Sequence, residues 1–122
     1  MNAEAIVRDF CRAFEEPNLE KILQFFAEDA IYHNIPLEPA QGLPAIRAVL
    51  EQFISPDAKS KFEILNLASC GNVVLTERVD HLTIQGKPVA LPVMGAFEVG
   101  ADGRIEAWRD YFDMGQLTAQ VG

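Results

Sequence analysis

Residues 73–84, Val-Val-Leu-Thr-Glu-Arg-Val-Asp-His-Leu-Thr-Ile, set the period of the second half of the chain. Side chains alternate across a strand, so Arg78, Asp80 and Leu82 share one face while Glu77, Val79 and His81 share the other. From Lys61 onward strands are expected over 61–69, 73–84, 89–99 and 104–113. The segments between them, Cys70-Gly71-Asn72, Gln85-Gly86-Lys87-Pro88 and Gly100-Ala101-Asp102-Gly103, have turn chemistry. Upstream the period is helical. Ile6, Val7, Phe10 and Phe14 fall on one face of a helix within 4–15, and Pro17 breaks the pattern. Asn18 can cap a second helix carrying Leu19, Ile22, Leu23 and Phe26. Residues 30–35 read as a short strand ended by Pro36, and Leu37 to Gly42 as a loop. A third helix starts near Pro44, a good first-turn residue, with Ile46, Val49, Leu50 and Phe53 as its stripe. Helix, helix, strand, helix and then a four-strand meander give an α+β fold, a curved antiparallel sheet with helices on one side that can enclose a pocket.

A chain of 122 residues fits one domain, residues 1–122, and with half its residues apolar it can build a real core. The formal net charge of −8 argues against nucleic acid as a partner, because phosphate binding needs an excess of Lys and Arg. No apolar run approaches the ~20 residues of a membrane span. Met1-Asn2-Ala3-Glu4 does not open a signal peptide, and a soluble, cytoplasmic protein is expected. Cys11 and Cys70 are expected to be free core thiols. His33 and His81 share no metal-ligand spacing with each other or with either cysteine, so no metal is expected.

The hairpin turns give a register for the meander. Pairing Ile84 with Val89 sets Asp80 opposite Val93, and pairing Val99 with Arg104 sets Val93 opposite Asp110. Asp80, Val93 and Asp110 then form one row, flanked by Arg78, Gly95 and Trp108 on one side and by Leu82, Leu91 and Phe112 on the other. A glycine opposite an arginine leaves room for the guanidinium to lie over the sheet and reach both carboxylates. An Asp–Arg–Asp cluster beside an apolar wall has the makings of a site. A structural ion pair on a solvated face competes with that reading, and the residues alone leave the two in balance. Tyr32 and Asn34 share a face of their strand, and by themselves they read as a buried pair beside Pro36. Asp113, Glu77 and His81 point away from the row and read as structural, and Met94 as core or interface.

Tyr32-His33-Asn34, Arg78-Val79-Asp80 and Trp108-Arg109-Asp110-Tyr111-Phe112-Asp113, in that order, resemble the motifs of the limonene-1,2-epoxide hydrolase family. The resemblance runs from about Phe14 to the C-terminus. It implies a strongly curved mixed or antiparallel sheet with three helices, forming a cone around a deep pocket. Ketosteroid isomerase, scytalone dehydratase, polyketide-cyclase-like enzymes and nuclear transport factor share that fold, so the fold alone would not fix the function. The resemblance implies that Asp110, Tyr32 and Asn34 hold a water, with Asp110 as general base. It makes Asp80 the general acid toward the epoxide oxygen and Arg78 the bridge between the carboxylates. Leu82, Leu91, Val93, Trp108 and Phe112 would bind the substrate. No metal, no cofactor and no covalent intermediate is implied.

The expected partners are a small hydrophobic, cyclic epoxide and water, and a second copy of the chain packed on the outward face near Val79, Ala90 and Ala107. Family members often carry a longer segment before the first helix, so limonene oxide itself is not an implied substrate. The alternatives are an isomerase, dehydratase or cyclase with an aspartate base, and a non-catalytic small-molecule-binding module. A charged Arg78 between two aspartates fits poorly with an oxyanion hole of neutral donors.

Overall fold

The computed structural model describes residues 2–122, and its first helices begin where asparagines can cap them. Asn2 accepts from the Ala5 N–H at 3.1 Å at the start of α1 (Ala3–Ala13). Asn18 accepts from the Lys21 N–H at 3.3 Å at the start of α2 (Leu19–Leu23). The second helix is shorter than its apolar spacing predicts. Phe26 belongs instead to β1 (Phe26–Asn34), which starts four residues before the expected strand. The supposed loop contains β2 (Ala40–Gln41), paired antiparallel with β1. Then follow α3 (Leu43–Phe53) with Pro44 in its first turn, β3 (Lys61–Cys70), β4 (Val73–Ile84), β5 (Lys87–Val99), β6 (Ile105–Tyr111) and α4 (Met114–Val121).

The six strands form one curved, unclosed sheet in the order β2-β1-β6-β5-β4-β3. Every pair is antiparallel except β1 with β6, which makes the sheet mixed. The parallel pair brings Tyr32 beside Trp108 and Asn34 beside Asp110.

The expected rows are displaced by two residues at each hairpin. The β4–β5 turn is only Gln85-Gly86, with φ of 52° and 77°, the left-handed pair of a tight two-residue hairpin. Ile84 therefore pairs with Lys87 rather than Val89, and Asp80 lies opposite Leu91 rather than Val93. In the β5–β6 hairpin Val99 pairs with Ile105, and a bulge at Glu106 adds a second residue of offset, so Asp110 lies opposite Gly95. A shift of two preserves the face. The concave rows are thus Thr76–Gly95–Asp110–Asn34 and Val74–Phe97–Trp108–Tyr32, with Arg78 opposite Val93.

The core lies between this concave face and the helices. Phe10 of α1 stands edge-on to Phe14, Phe26 and Trp108, with ring centroids 5.1, 5.3 and 4.9 Å away. Cys11 is buried, whereas Cys70 ends β3 at a hairpin and is exposed, which corrects the expectation that both are core thiols. On the convex face Leu65, Leu75, Met94 and Tyr111 are each about half exposed. Met94 is therefore not a core residue. No helix among the described residues is long and apolar enough to cross a membrane.

The fourth helix is absent from the sequence-based expectation of three. Asp113 caps it, its Oδ1 accepting from the Gly115 N–H at 2.7 Å, and Leu117 turns into the core. β6 pairs with β5 only as far as Met94, so the first half of β5 has an open edge. Gln120 fills it as a strand would: the Ala90 N–H donates to Oε1 at 2.8 Å, and Nε2 donates to the Ala90 carbonyl at 2.9 Å. Replacing Asp113 by Ala should cost about 1 kcal/mol, read as a lower urea midpoint with an unchanged slope. An unmoved midpoint would show that α4 does not depend on this cap.

Candidate active site

Arg78 is the centre of the concave face, and its side chain has no solvent exposure. A guanidinium has five N–H donors, and here each has an acceptor. Nε donates to Asp80 Oδ1 at 2.9 Å and Nη2 to Asp80 Oδ2 at 2.9 Å. Nη2 donates also to Asp110 Oδ2 at 2.8 Å, and Nη1 to Asp110 Oδ1 at 3.2 Å and to Thr76 Oγ1 at 3.0 Å. Two bidentate forks thus share one arginine. Phe62 and Phe97 lie within cation–π range, 5.0 and 5.9 Å from the guanidinium carbon.

Gly95 makes this possible. A Cβ there would collide with Arg78 Nη1 and stand 2.7 Å from Asp110 Oδ1 and 2.9 Å from Thr76 Oγ1. The expected space above a glycine is present, although the strand partner of Gly95 is Thr76 rather than Arg78.

The cluster carries two carboxylates against one cation, and Asp80 and Asp110 are only 6 % and 5 % exposed. Burial pushes the Asp80 carboxyl up to about 6; Arg78 pulls it down, and the neighbouring Asp110 adds to the rise. Burial works against the charge on Arg78, but the two carboxylates outweigh it and hold the guanidinium protonated. Burial, aided by Asp110, also raises the Tyr32 phenol well above its ordinary range, so Tyr32 keeps its proton and can donate it.

Above the cluster is a narrow pocket. Tyr32, Asn34, Asp80, Asp110, Leu82, Leu91, Val93 and Phe112 line it, as expected, and Val93 lies on the strand between the two aspartates. Two of the expected site residues do not line it, Arg78 because it bridges the two carboxylates from below. It reaches the pocket only through them. Trp108 is fully buried behind Tyr32, with the rings stacked at 4.0 Å and 8°, and so lies outside the pocket wall. It instead donates its indole N–H to Asp110 Oδ1 at 2.7 Å.

Leu50, Phe53, Ile54 and Phe62 complete the wall without having been anticipated as site residues. Leu50 and Phe53 belong to the apolar stripe of α3, which from sequence says only that they face inward. Thr76 was also missed, although its place two residues before Arg78 sets it on the same face. The cavity is about 30 Å³, enough for a water but not for a cyclic substrate unless the side chains at its mouth move apart. Among the described residues no group of three His, Cys, Asp or Glu is arranged to hold a metal ion.

A polar floor with a carboxyl of raised pKa, a tyrosine donor and an asparagine, walled by apolar side chains, can hold a water beside an apolar molecule and move protons between them. Known proteins share both this sequence and this shape. The limonene-1,2-epoxide hydrolase catalytic domain matches residues 1–121. Epoxide hydrolase EphG of Mycobacterium tuberculosis is 32 % identical over 110 residues, covering 88 % of this chain and 71 % of that protein. The structure of an M. tuberculosis LEH-like epoxide hydrolase superposes with a TM-score of 0.79 at 28 % identity, over 98 % of this chain and 91 % of the other. A SnoaL-like polyketide cyclase from Shewanella denitrificans superposes at 0.82 over 98 % and 96 % of the two chains, but at 16 % identity it shares the fold alone. With its whole length matched by the family and its cone-like fold shared with an epoxide hydrolase, this chain belongs to the limonene-1,2-epoxide hydrolase family.

Proposed function

We propose that the protein opens a small hydrophobic epoxide to a vicinal diol in one step, by attack of a water that Asp110 deprotonates while Asp80 protonates the ring oxygen. The observation that carries this reading is the Arg78 double fork, which fixes two carboxylates on either side of Val93 at the floor of one apolar pocket. Opening an epoxide in this way needs a base and an acid on opposite sides of the ring. Tyr32 and Asn34, beside Asp110 across the parallel strand pair, orient the water. The buried guanidinium is charged and saturated, so it cannot take the proton itself. Its work is to hold two like charges together while one proton remains on the pair. The cleaved C–O bond and the new C–O bond lie on the same substrate, and no enzyme bond forms. The narrow cavity favours small epoxides, with Phe53, Ile54 and Phe112 moving to admit them.

A dimer is part of the same proposal. The convex face presents Leu65, Met94 and Tyr111 around Val79, with Ala90 and Ala107 at its margins, and a second copy would cover them. Sedimentation should give a dimer at micromolar concentration; monomer alone would remove this part.

Diol formation from cyclohexene oxide, styrene oxide and limonene oxide, compared across wild type, Asp80→Asn and Asp110→Asn, tests the chemistry. Each substitution should lower kcat by about 10² or more, as loss of a general acid or base does. Activity within about tenfold of wild type in either variant would show that its assigned role is wrong.

The acid must carry its proton, so kcat/KM should fall as pH rises past about 6, with an apparent pKa belonging to the pair. Stability should follow the same sign. Asp80 binds its proton more tightly folded than unfolded, so its contribution is full below its ordinary value and is lost as pH rises through about 6. Asp80→Asn should flatten that slope in urea denaturation, and an unchanged slope would put the proton elsewhere.

A further inference from the structure

Asp110 has two carboxylate oxygens and about four lone-pair sites. Oδ1 accepts from Trp108 Nε1 at 2.7 Å and from Arg78 Nη1 at 3.2 Å, while Oδ2 accepts only from Arg78 Nη2 at 2.8 Å. The one unfilled site is on Oδ2. The indole that fills Oδ1 cannot turn away, because it is wholly buried with Phe10 edge-on at 4.9 Å and Phe97 stacked at 5.7 Å. The nearest ring is that of Tyr32, stacked in parallel at 4.0 Å. One side chain therefore touches two groups that face the pocket from neighbouring strands.

We propose that Trp108 is a positioning residue: its indole N–H fills Oδ1 of Asp110, so that the proton leaving water goes to Oδ2, and its ring face holds Tyr32 against the same water. The inference rests on Asp110 being the base. In that step a water O–H bond breaks, the proton passes to Oδ2, and the water oxygen bonds to a ring carbon. The ring C–O bond breaks and its oxygen takes the proton of Asp80. Asp110 ends protonated and Asp80 ionised, and return of one proton from the first to the second resets the pair. Without the indole, Oδ1 would offer a second free site and the carboxylate could present either oxygen. A buried tryptophan usually finds some partner for its N–H, so a purely structural bond is the competing reading.

Two measurements separate them. The chain has one tryptophan, so a ¹⁵N-labelled sample gives one indole cross-peak. That peak should be protected from solvent exchange and should move in Asp110→Asn. A peak that exchanges freely and ignores the substitution would overturn the anchor, whether or not any epoxide reacts.

The second measurement is kinetic. Trp108→Phe keeps a flat ring against Tyr32 and removes the donor. It should lower kcat by about tenfold to a hundredfold with KM changed by less than about threefold, the pattern of misplaced reacting groups. Phe26→Leu is the packing reference: Phe26 stacks on Trp108 at 6.1 Å and is absent from the pocket wall. It should lower the melting temperature while leaving kcat within about twofold, because it moves no donor. If Trp108→Phe retains kcat, or Phe26→Leu loses as much, the positioning role is overturned. A wild type that opens no epoxide refutes the hydrolase reading instead, and the cross-peak alone then decides whether Oδ1 is held.

Discussion

Arg78 is buried with every one of its N–H groups committed, and the rest of the structure is arranged around that fact. Removing a guanidinium and two carboxylates from water is expensive, and the attraction among them offsets the cost only when the geometry is good. The charge count adds a second constraint. With two anions to one cation, the cluster is relieved by keeping a proton, and Asp80 is the member whose pKa rises toward neutrality. In the acid role proposed for Asp80, that same electrostatic strain is what would keep a proton available to a substrate.

The sheet delivers the members of this cluster from three different strands. Thr76, Arg78 and Asp80 come from β4 and alternate onto one face, Asp110 comes from β6, and the parallel neighbour β1 adds Asn34 and Tyr32. The helices close the other side with aromatic rings rather than polar groups. Phe10 and Phe14 pack against Trp108 and Phe62, and Phe62 lies against the guanidinium. The ion cluster therefore has a low-dielectric roof that strengthens its hydrogen bonds and makes any unpaired member costly.

The order of the elements was legible from period and punctuation, because alternation and caps are local. Face assignment was legible for the same reason, and it survived an error in register. Two residues of offset at each hairpin returned Asp80, Arg78 and Asp110 to the same side of the sheet. Pairing itself was not legible, since it turns on whether Gln85-Gly86 forms a two-residue turn and on a bulge at Glu106. The short β2 and the pairing of β1 with β6 are long-range contacts with no local signature. α4 did have one, in Asp113 followed by Leu117 and Val121 at helical spacing, but the strand pattern before it was stronger. Trp108 lies behind the pocket wall rather than in it, a distinction that alternation does not carry because it gives a side chain's face and not its depth. It points inward as expected, yet Tyr32 covers it.

Gly95 joins these levels. A glycine inside a strand weakens it, because it adds backbone entropy to the unfolded chain and no side chain to the sheet. By strand propensity alone any β-branched residue would be better there. The gap it leaves is where Arg78 Nη1, Asp110 Oδ1 and Thr76 Oγ1 meet, so a methyl group at this position would push the guanidinium off one carboxylate. The buried arginine needs the glycine, and the glycine has no reason to be there without the arginine. Residues that disobey local rules in this chain, a strand glycine and three buried ionisable side chains, fall on one spot of one face. Such a concentration is expected of a site whose chemistry outweighs its local cost, and not of a salt bridge added for stability.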